Sequence, residues 1–175
     1  MMSGGNISHR AAVSQREEHG EETLSLRASV GGNVCAGGVS HRASEAQRNL
    51  ITGDILDASV KIHKMFGPGL LESVYERLLA VELTKRGHKV VRQKNISFEY
   101  EGEVFENAFC VDMIVDDDIV VELKSTGTMS PVYPKQLRTY LVILGKELGV
   151  LVNFGMATIK EGFKRVVNDV NLSTN

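Results

Sequence analysis

The chain has 175 residues, of which 42% are hydrophobic, and this is enough for one domain with an ordinary core. The formal net charge of -2 excludes a protein that grips a long stretch of nucleic acid through a general excess of basic charge. Cys35 and Cys110 fit no CxxC spacing, and no apolar run reaches the roughly 20 residues that span a membrane. We therefore expect a cytoplasmic protein with reduced thiols and no zinc site.

The first 48 residues are rich in Gly, Ser, Ala, Arg and Glu and show no sustained hydrophobic period. The phrase Ser-His-Arg-Ala occurs twice, at Ser8 and at Ser40, but two copies this short cannot build a repeat fold. This composition predicts a low-complexity, disordered leader over residues 1–48. An arm that touches nucleic acid, or a tail that docks on a partner, is the alternative.

Dense apolar periodicity begins near Leu50 and predicts one folded domain over residues 50–170. The expected elements are a helix from Asp54 capped by Thr52, a helix over 70–86, strands over 89–93, 96–100, 104–115 and 119–124, a helix over 135–148, and strands over 150–154 and 163–167. This order predicts an α/β sandwich in which helices flank a mixed central sheet.

The segment 109–124 consists of two apolar stretches joined by Asp116-Asp117-Asp118, a composition typical of a turn. A hairpin that pivots on Asp117 places Asp112 opposite Glu122, with their Cβ atoms about 5 Å apart on one face. Lys124 falls on the same face because side chains alternate along a strand. Cys110 shares that face, and we expect it to be a small core residue.

Two neighbouring carboxylates among apolar residues repel each other, and burying each without a partner costs on the order of several kcal/mol. Lys124 compensates one of the two charges, and a divalent cation such as Mg²⁺ would compensate the rest. A cross-strand salt bridge on a solvated sheet face is the alternative for the same residues.

Asp112 followed by Glu122-x-Lys124 on the next strand resembles the motif of the PD-(D/E)XK nuclease superfamily. Gly69-Leu-Leu-Glu72-Ser-Val-Tyr75 is similar to the motif of its GxxExxY protein family. The resemblance covers residues 50–170 and implies a restriction-endonuclease-like fold.

The same resemblance implies that Asp112 and Glu122 bind Mg²⁺, with Mn²⁺ as a substitute, and that the backbone carbonyl of Leu123 adds a third oxygen. Glu72 would be a further ligand, either direct or through water. Glu72 also lies at the top of the apolar stripe of its helix, so it faces inward. A first-turn acid stabilised by the helix dipole is the alternative for Glu72.

The resemblance also implies that Lys124 orients and helps to deprotonate the attacking water, or stabilises charge on the phosphate. Gln136 on the following helix is a second candidate near the phosphate, and Tyr140 faces the same way. The stretch from Lys85 to Lys94 is the densest basic run and is either a phosphate contact or a solvated helix end.

These residues favour metal-dependent hydrolysis of DNA or another nucleic acid, with a homodimer or a protein partner supplying grip on the substrate. Two alternatives remain. One is a nuclease-fold module that binds nucleic acid or a protein partner without cutting it. The other is a structural domain in which the acids and Lys124 form only an ion-pair network.

Overall fold

The structure is a computed structural model that describes residues 44–168 together with the backbone of Leu26–Ser29. Helices lie on both faces of a mixed β-sheet. In chain order the elements are β1 (Leu26–Ser29), α1 (Glu45–Phe66), α2 (Glu72–Lys85), β2 (Val90–Tyr100), β3 (Glu103–Val115), β4 (Ile119–Lys124), α3 (Val132–Leu144), β5 (Leu148–Asn153), α4 (Ile159–Gly162) and β6 (Phe163–Val167).

The sheet follows the chain, with the strand order β1-β2-β3-β4-β5-β6. Every neighbouring pair is antiparallel except β4 and β5, which are parallel. Parallel neighbours need a crossover, and here α3 provides it. The architecture confirms the restriction-endonuclease-like α/β sandwich that the sequence predicts.

Two apolar clusters fill the spaces between the layers. One joins α1, α2 and one face of the sheet around Ile55, Tyr75 and Leu79, and the other joins α3 to the opposite face around Leu137 and Leu141. Strands β4 and β5 are therefore buried on both faces, as parallel strands covered by helices usually are. Among the described helices, none has the length and apolar character needed to cross a membrane.

The start of α1 differs from the prediction. The helix begins at Glu45, because the Ser44 side chain accepts a hydrogen bond from the Gln47 N–H at 3.2 Å and so caps it. Thr52, the predicted cap, lies inside the helix, where its hydroxyl donates to the Asn49 carbonyl at 3.2 Å.

Two parts of the predicted leader form regular secondary structure. Leu26–Ser29 is a strand that pairs with the far end of β2, and residues 45–48 belong to α1. Residues 1–25 and 30–43 of the predicted leader lie outside the described residues.

Smaller differences concern where elements begin and end. The predicted strands 89–93 and 96–100 form one continuous strand, β2. Helix α2 begins only at Glu72, so Leu71 precedes it and is 73% exposed. Helix α3 begins and ends a few residues earlier than predicted. Its end is set by Gly145, which adopts the left-handed conformation.

Candidate active site

The hairpin that presents the predicted acids has the predicted register. Met113 pairs with Val121, and two further pairs continue in step toward the turn, so the pivot is Asp117. Asp116 and Asp117 have φ of 51° and 56°, a left-handed conformation that Asp tolerates better than most residues. The next position outward in the same register places Asp112 across from Glu122.

Glu122 is the most deeply buried acid of this group, with 3% of its surface exposed. Its Oε1 atom accepts a hydrogen bond from Lys124 Nζ at 2.6 Å. Its Oε2 atom is buried and has no hydrogen-bond partner among the described residues. Burial first, and then the charge of Asp112, raises the pKa of Glu122 from 4.5 to about 7.

Asp112 is held against the backbone of β4. Its Oδ2 atom accepts a hydrogen bond from the Leu123 N–H at 2.9 Å. Burial raises the pKa of Asp112 despite this bond and the nearby charge of Lys124, and Glu76 raises it further. Asp112 in turn lies close enough to Glu122 to raise the pKa of that acid.

Glu72 is the first residue of α2 and joins the same cluster. Three inward-facing residues that follow it along the helix, Tyr75, Leu79 and Leu83, are fully buried, which confirms the predicted stripe. Burial raises the pKa of Glu72, and Asp112 adds to this rise, while Lys124 opposes it. Glu72 is half-buried and lies within electrostatic reach of both strands of the hairpin.

Lys124 is the last residue of β4 and the cation nearest to the acids. Besides its bond to Glu122, its Nζ atom lies 5.5 Å from the centre of the Tyr133 ring. Burial alone would lower the pKa of Lys124, but the hydrogen bond and charge of Glu122, with Glu72 and Asp112, outweigh burial and raise it. Lys124 is therefore a stable cation in this arrangement.

Gln136 and Tyr140 are joined at the edge of the cluster. Gln136 Nε2 donates to the Tyr140 hydroxyl at 2.6 Å, and the Tyr140 ring stacks on Phe109 with the ring centres 4.2 Å apart. Burial raises the pKa of Tyr140 first, and Glu122 and Asp112 add to it. Tyr140 thus has both a packing contact and an electrostatic link to the acids.

Sequence reasoning missed two residues beside the cluster, Glu76 and Gln93. Glu76 is 4% exposed, and its two oxygens accept from Arg92 Nε at 2.6 Å and from Gln93 Nε2 at 2.7 Å. Arg92 is therefore paired with an acid inside the domain. The signal for Glu76 was its position one helical turn after Glu72 on the same face; for Gln93 the sequence offers no such signal.

The loop before α2 is fixed by Tyr75. Its hydroxyl accepts from the N–H groups of Gly69 at 3.1 Å and Leu70 at 3.2 Å, and donates to the Gly67 carbonyl. The Tyr75 ring stacks on Phe154, with ring centres 4.3 Å apart. These contacts determine where α2 starts and therefore where Glu72 lies.

The loop after Lys124 is fixed by Asn153, a fully buried amide at the end of β5. Its Oδ1 atom accepts from the N–H groups of Thr126 at 3.0 Å and Gly155 at 3.1 Å, and its Nδ2 atom donates to Thr126 and Thr128. A Cβ atom at Gly155 would lie 2.5 Å from the backbone of Thr126, so the two segments touch directly.

An open cleft of about 480 Å³ lies between these two loops. Glu72 and Ser125 line it together with the loop before α2, and Gly127 and Gly155 form its other wall. The cleft therefore has room for a ligand beside Glu72, whereas Asp112, Glu122 and Lys124 are not among the residues that line it.

In the described part of the chain, no group of three or more His, Cys, Asp or Glu side chains stands assembled as a metal site. The residues nevertheless fit a divalent cation. The buried Glu122 Oε2 atom lacks a partner, and the pKa values of Glu72, Asp112 and Glu122 are all raised. Carboxylate oxygens are the donors that Mg²⁺ and Mn²⁺ prefer, and such an ion would relieve both conditions.

Comparison with known proteins agrees with the geometry. A family model described as the PD-(D/E)XK nuclease superfamily matches residues 49–166. That range includes the acids of the hairpin, Lys124, α2 and α3. Neither a search of curated proteins nor a search of solved structures gave a match.

Proposed function

The chain belongs to the PD-(D/E)XK nuclease superfamily, and from this premise we propose that it is a Mg²⁺-dependent nuclease that hydrolyses DNA or another nucleic acid. The observation that supports this most directly is the unpartnered Oε2 atom of Glu122 beside Asp112 and Lys124. A buried oxygen without a partner is costly in a purely structural network, whereas it is useful in a site that receives a cation. The motif Gly69-x-x-Glu72-x-x-Tyr75 supports placement in the GxxExxY family.

Asp112 and Glu122 would hold the metal ion, with Glu72 and the Leu123 carbonyl as further oxygen ligands. When bound, Mg²⁺ or Mn²⁺ supplies a more acidic water and polarises the phosphoryl oxygen. The Leu123 N–H keeps the Asp112 carboxylate oriented, because it already donates to Oδ2 at 2.9 Å. The same bond explains how β4 positions an acid that belongs to β3.

Lys124 stays protonated, so we assign it the stabilisation of negative charge on the phosphate and the orientation of Glu122. Its bond to Glu122 leaves other Nζ hydrogens for the substrate, since an ammonium group has three donors. Gln136 would add an amide donor near the phosphate once it leaves the Tyr140 hydroxyl.

The net charge of -2 supports a short contact with the substrate, and we infer that a second copy or a protein partner contributes the rest of the grip. A cytoplasmic location accords with the reduced cysteines expected from the sequence.

One observation favours a second candidate, a nuclease-fold module that binds nucleic acid or a protein partner without cutting. Within residues 44–168, no three acids or other metal-binding side chains are grouped as a ready metal site, and Lys124 closes on Glu122. An ion pair of this kind also occurs in domains whose role is only to bind.

Cleavage assays separate the two candidates. Labelled single- and double-stranded DNA and RNA are incubated with Mg²⁺ or Mn²⁺ and with wild type, Glu122→Ala or Lys124→Ala. The exposed variants Glu106→Ala and Lys135→Ala are matched controls. Cutting that is lost in both site variants and retained in both controls supports the nuclease. Binding without cutting in either metal supports the module, and cutting that survives Glu122→Ala refutes the assigned site.

A further inference from the structure

Gln93 has an unusual backbone conformation for its place in the fold. Its φ is 47°, although the residues on both sides of it pair in unbroken register with β3, and this register places it across from Asp112. The other described non-glycine residues with positive φ lie in turns or where the β2–β3 register shifts: Glu101, Asn107, Asp116 and Asp117. Inside a regular strand, a turn cannot explain this backbone strain, so another reason must be found.

The side chain of Gln93 supplies that reason. Its Nε2 atom donates to Glu76 Oε2 at 2.7 Å, and its Oε1 atom accepts from the Cys110 thiol at 3.4 Å. Cys110 is exposed, which corrects the prediction of a core position. The two contacts fix the orientation of the amide, with its nitrogen on the Glu76 carboxylate and its oxygen on the Cys110 thiol.

The Gln93 amide has a second N–H group, because a primary amide has two donors. The pairs on either side of Gln93 place it across the ladder from Asp112, where facing side chains have Cβ atoms about 5 Å apart, so this second N–H group is within reach of the Asp112 carboxylate. The Oδ2 atom of Asp112 accepts a hydrogen bond from the Leu123 N–H. Gln93 and Leu123 thus belong to the two strands that neighbour Asp112 in the sheet.

Glu76, on α2, holds the Gln93 amide in place. It is buried, and its second oxygen is held by Arg92 Nε at 2.6 Å, so it cannot turn away without leaving a charge unpaired. A buried acid with both oxygens occupied is a poor ligand for an incoming ion. It is a good anchor for the Gln93 amide, which it holds at 2.7 Å.

We propose that Gln93 is a positioning residue that holds the Asp112 carboxylate in its metal-binding orientation, with Glu76 as its anchor. This inference rests on the proposed nuclease function, because it assumes that Asp112 is a metal ligand. Residues that orient a ligand through hydrogen bonds typically change metal affinity or activity by about 10–100-fold when they are lost.

The test compares Mn²⁺ binding with fold stability. Gln93→Met removes the amide and keeps a side chain of similar length, and Gln93→Gly removes it while meeting the positive φ without strain. Gln47→Met, at an exposed position of α1, is the matched control. Calorimetric titration gives the Mn²⁺ affinity, and thermal unfolding in EDTA gives the stability of the same preparations.

We expect Mn²⁺ affinity to fall about 10–100-fold in both Gln93 variants and to stay within twofold of wild type in Gln47→Met. A merely structural role would lower the unfolding temperature and leave the affinity unchanged, and that result in whichever Gln93 variant folds would overturn the inference while leaving the proposed function intact. If wild type itself binds no Mn²⁺, the proposed function and this inference both fail.

Discussion

Removing the charge of Glu122 tests whether the acid cluster is electrostatically strained when no cation is bound. Glu122→Gln keeps the size of the side chain and an oxygen that can accept from Lys124. It removes only the ionisation of a group that is 3% exposed and has one unpartnered oxygen. The expected effect is therefore a change in how stability depends on pH.

The size of the effect follows from the pKa of Glu122, which rises from 4.5 to about 7 on folding. The folded protein binds this proton more tightly than the unfolded chain, so stability falls as pH increases between these values and the full penalty applies above the higher one. One pKa unit corresponds to about 1.36 kcal/mol, which gives a penalty of about 3 kcal/mol at pH 8 and under about 1 kcal/mol at pH 5.

Urea unfolding in EDTA at pH 5 and pH 8 measures this difference. We expect Glu122→Gln to gain about 2–3 kcal/mol over wild type between the two pH values, and Glu106→Gln, at an exposed position, to gain none. Saturating Mn²⁺ should restore wild type at pH 8 and help the variant much less. A gap between wild type and Glu122→Gln that is equal at both pH values would refute the reasoning.

Two further predictions concern the scaffold. His88 bonds to Asp116 at 2.7 Å and Asp54 at 3.2 Å; burial lowers its pKa, but the two acids outweigh burial and raise it above 6.5. The contribution of His88 to stability is therefore complete below pH 6.5 and is lost as pH rises through the pKa of the folded protein. We expect His88→Asn to lower the free energy of unfolding by about 1 kcal/mol more at pH 6 than at pH 9, as measured by urea unfolding. Equal losses at the two pH values would contradict this. Asn153→Leu leaves the backbone N–H and the hydroxyl of Thr126 without their hydrogen-bond partner. We expect it to lower the free energy of unfolding by about 2–5 kcal/mol, seen as a lower unfolding temperature in EDTA. An unchanged temperature would show that water replaces the amide.

The hairpin of the site could be predicted because its signals are local. Two apolar stretches surround Asp116-Asp117-Asp118, and the alternation of strand side chains then fixes which acids share a face. The turn was predicted, but not the partners of its acids, since His88 lies between α2 and β2 and Arg48 comes from α1. Those partners depend on tertiary packing, which a local pattern does not contain.

The network of Glu76, Arg92 and Gln93 was beyond prediction for a similar reason. It depends on a left-handed residue inside β2 that is not glycine, and no sequence pattern marks such a residue. The start of α1 was missed because Ser44 and the polar residues after it match the composition of the leader. At Gln93 the surrounding structure overrides the local preference of the chain.

The stacking of Tyr75 on Phe154 has an evolutionary consequence. The tyrosine governs the start of α2, and the ring beneath it comes from the segment just after β5, close to the other end of the domain. A change of ring size at either position would shift the helix that presents Glu72. We therefore expect homologues to keep both rings, and the loss of either ring to displace Glu72 before it compromises folding.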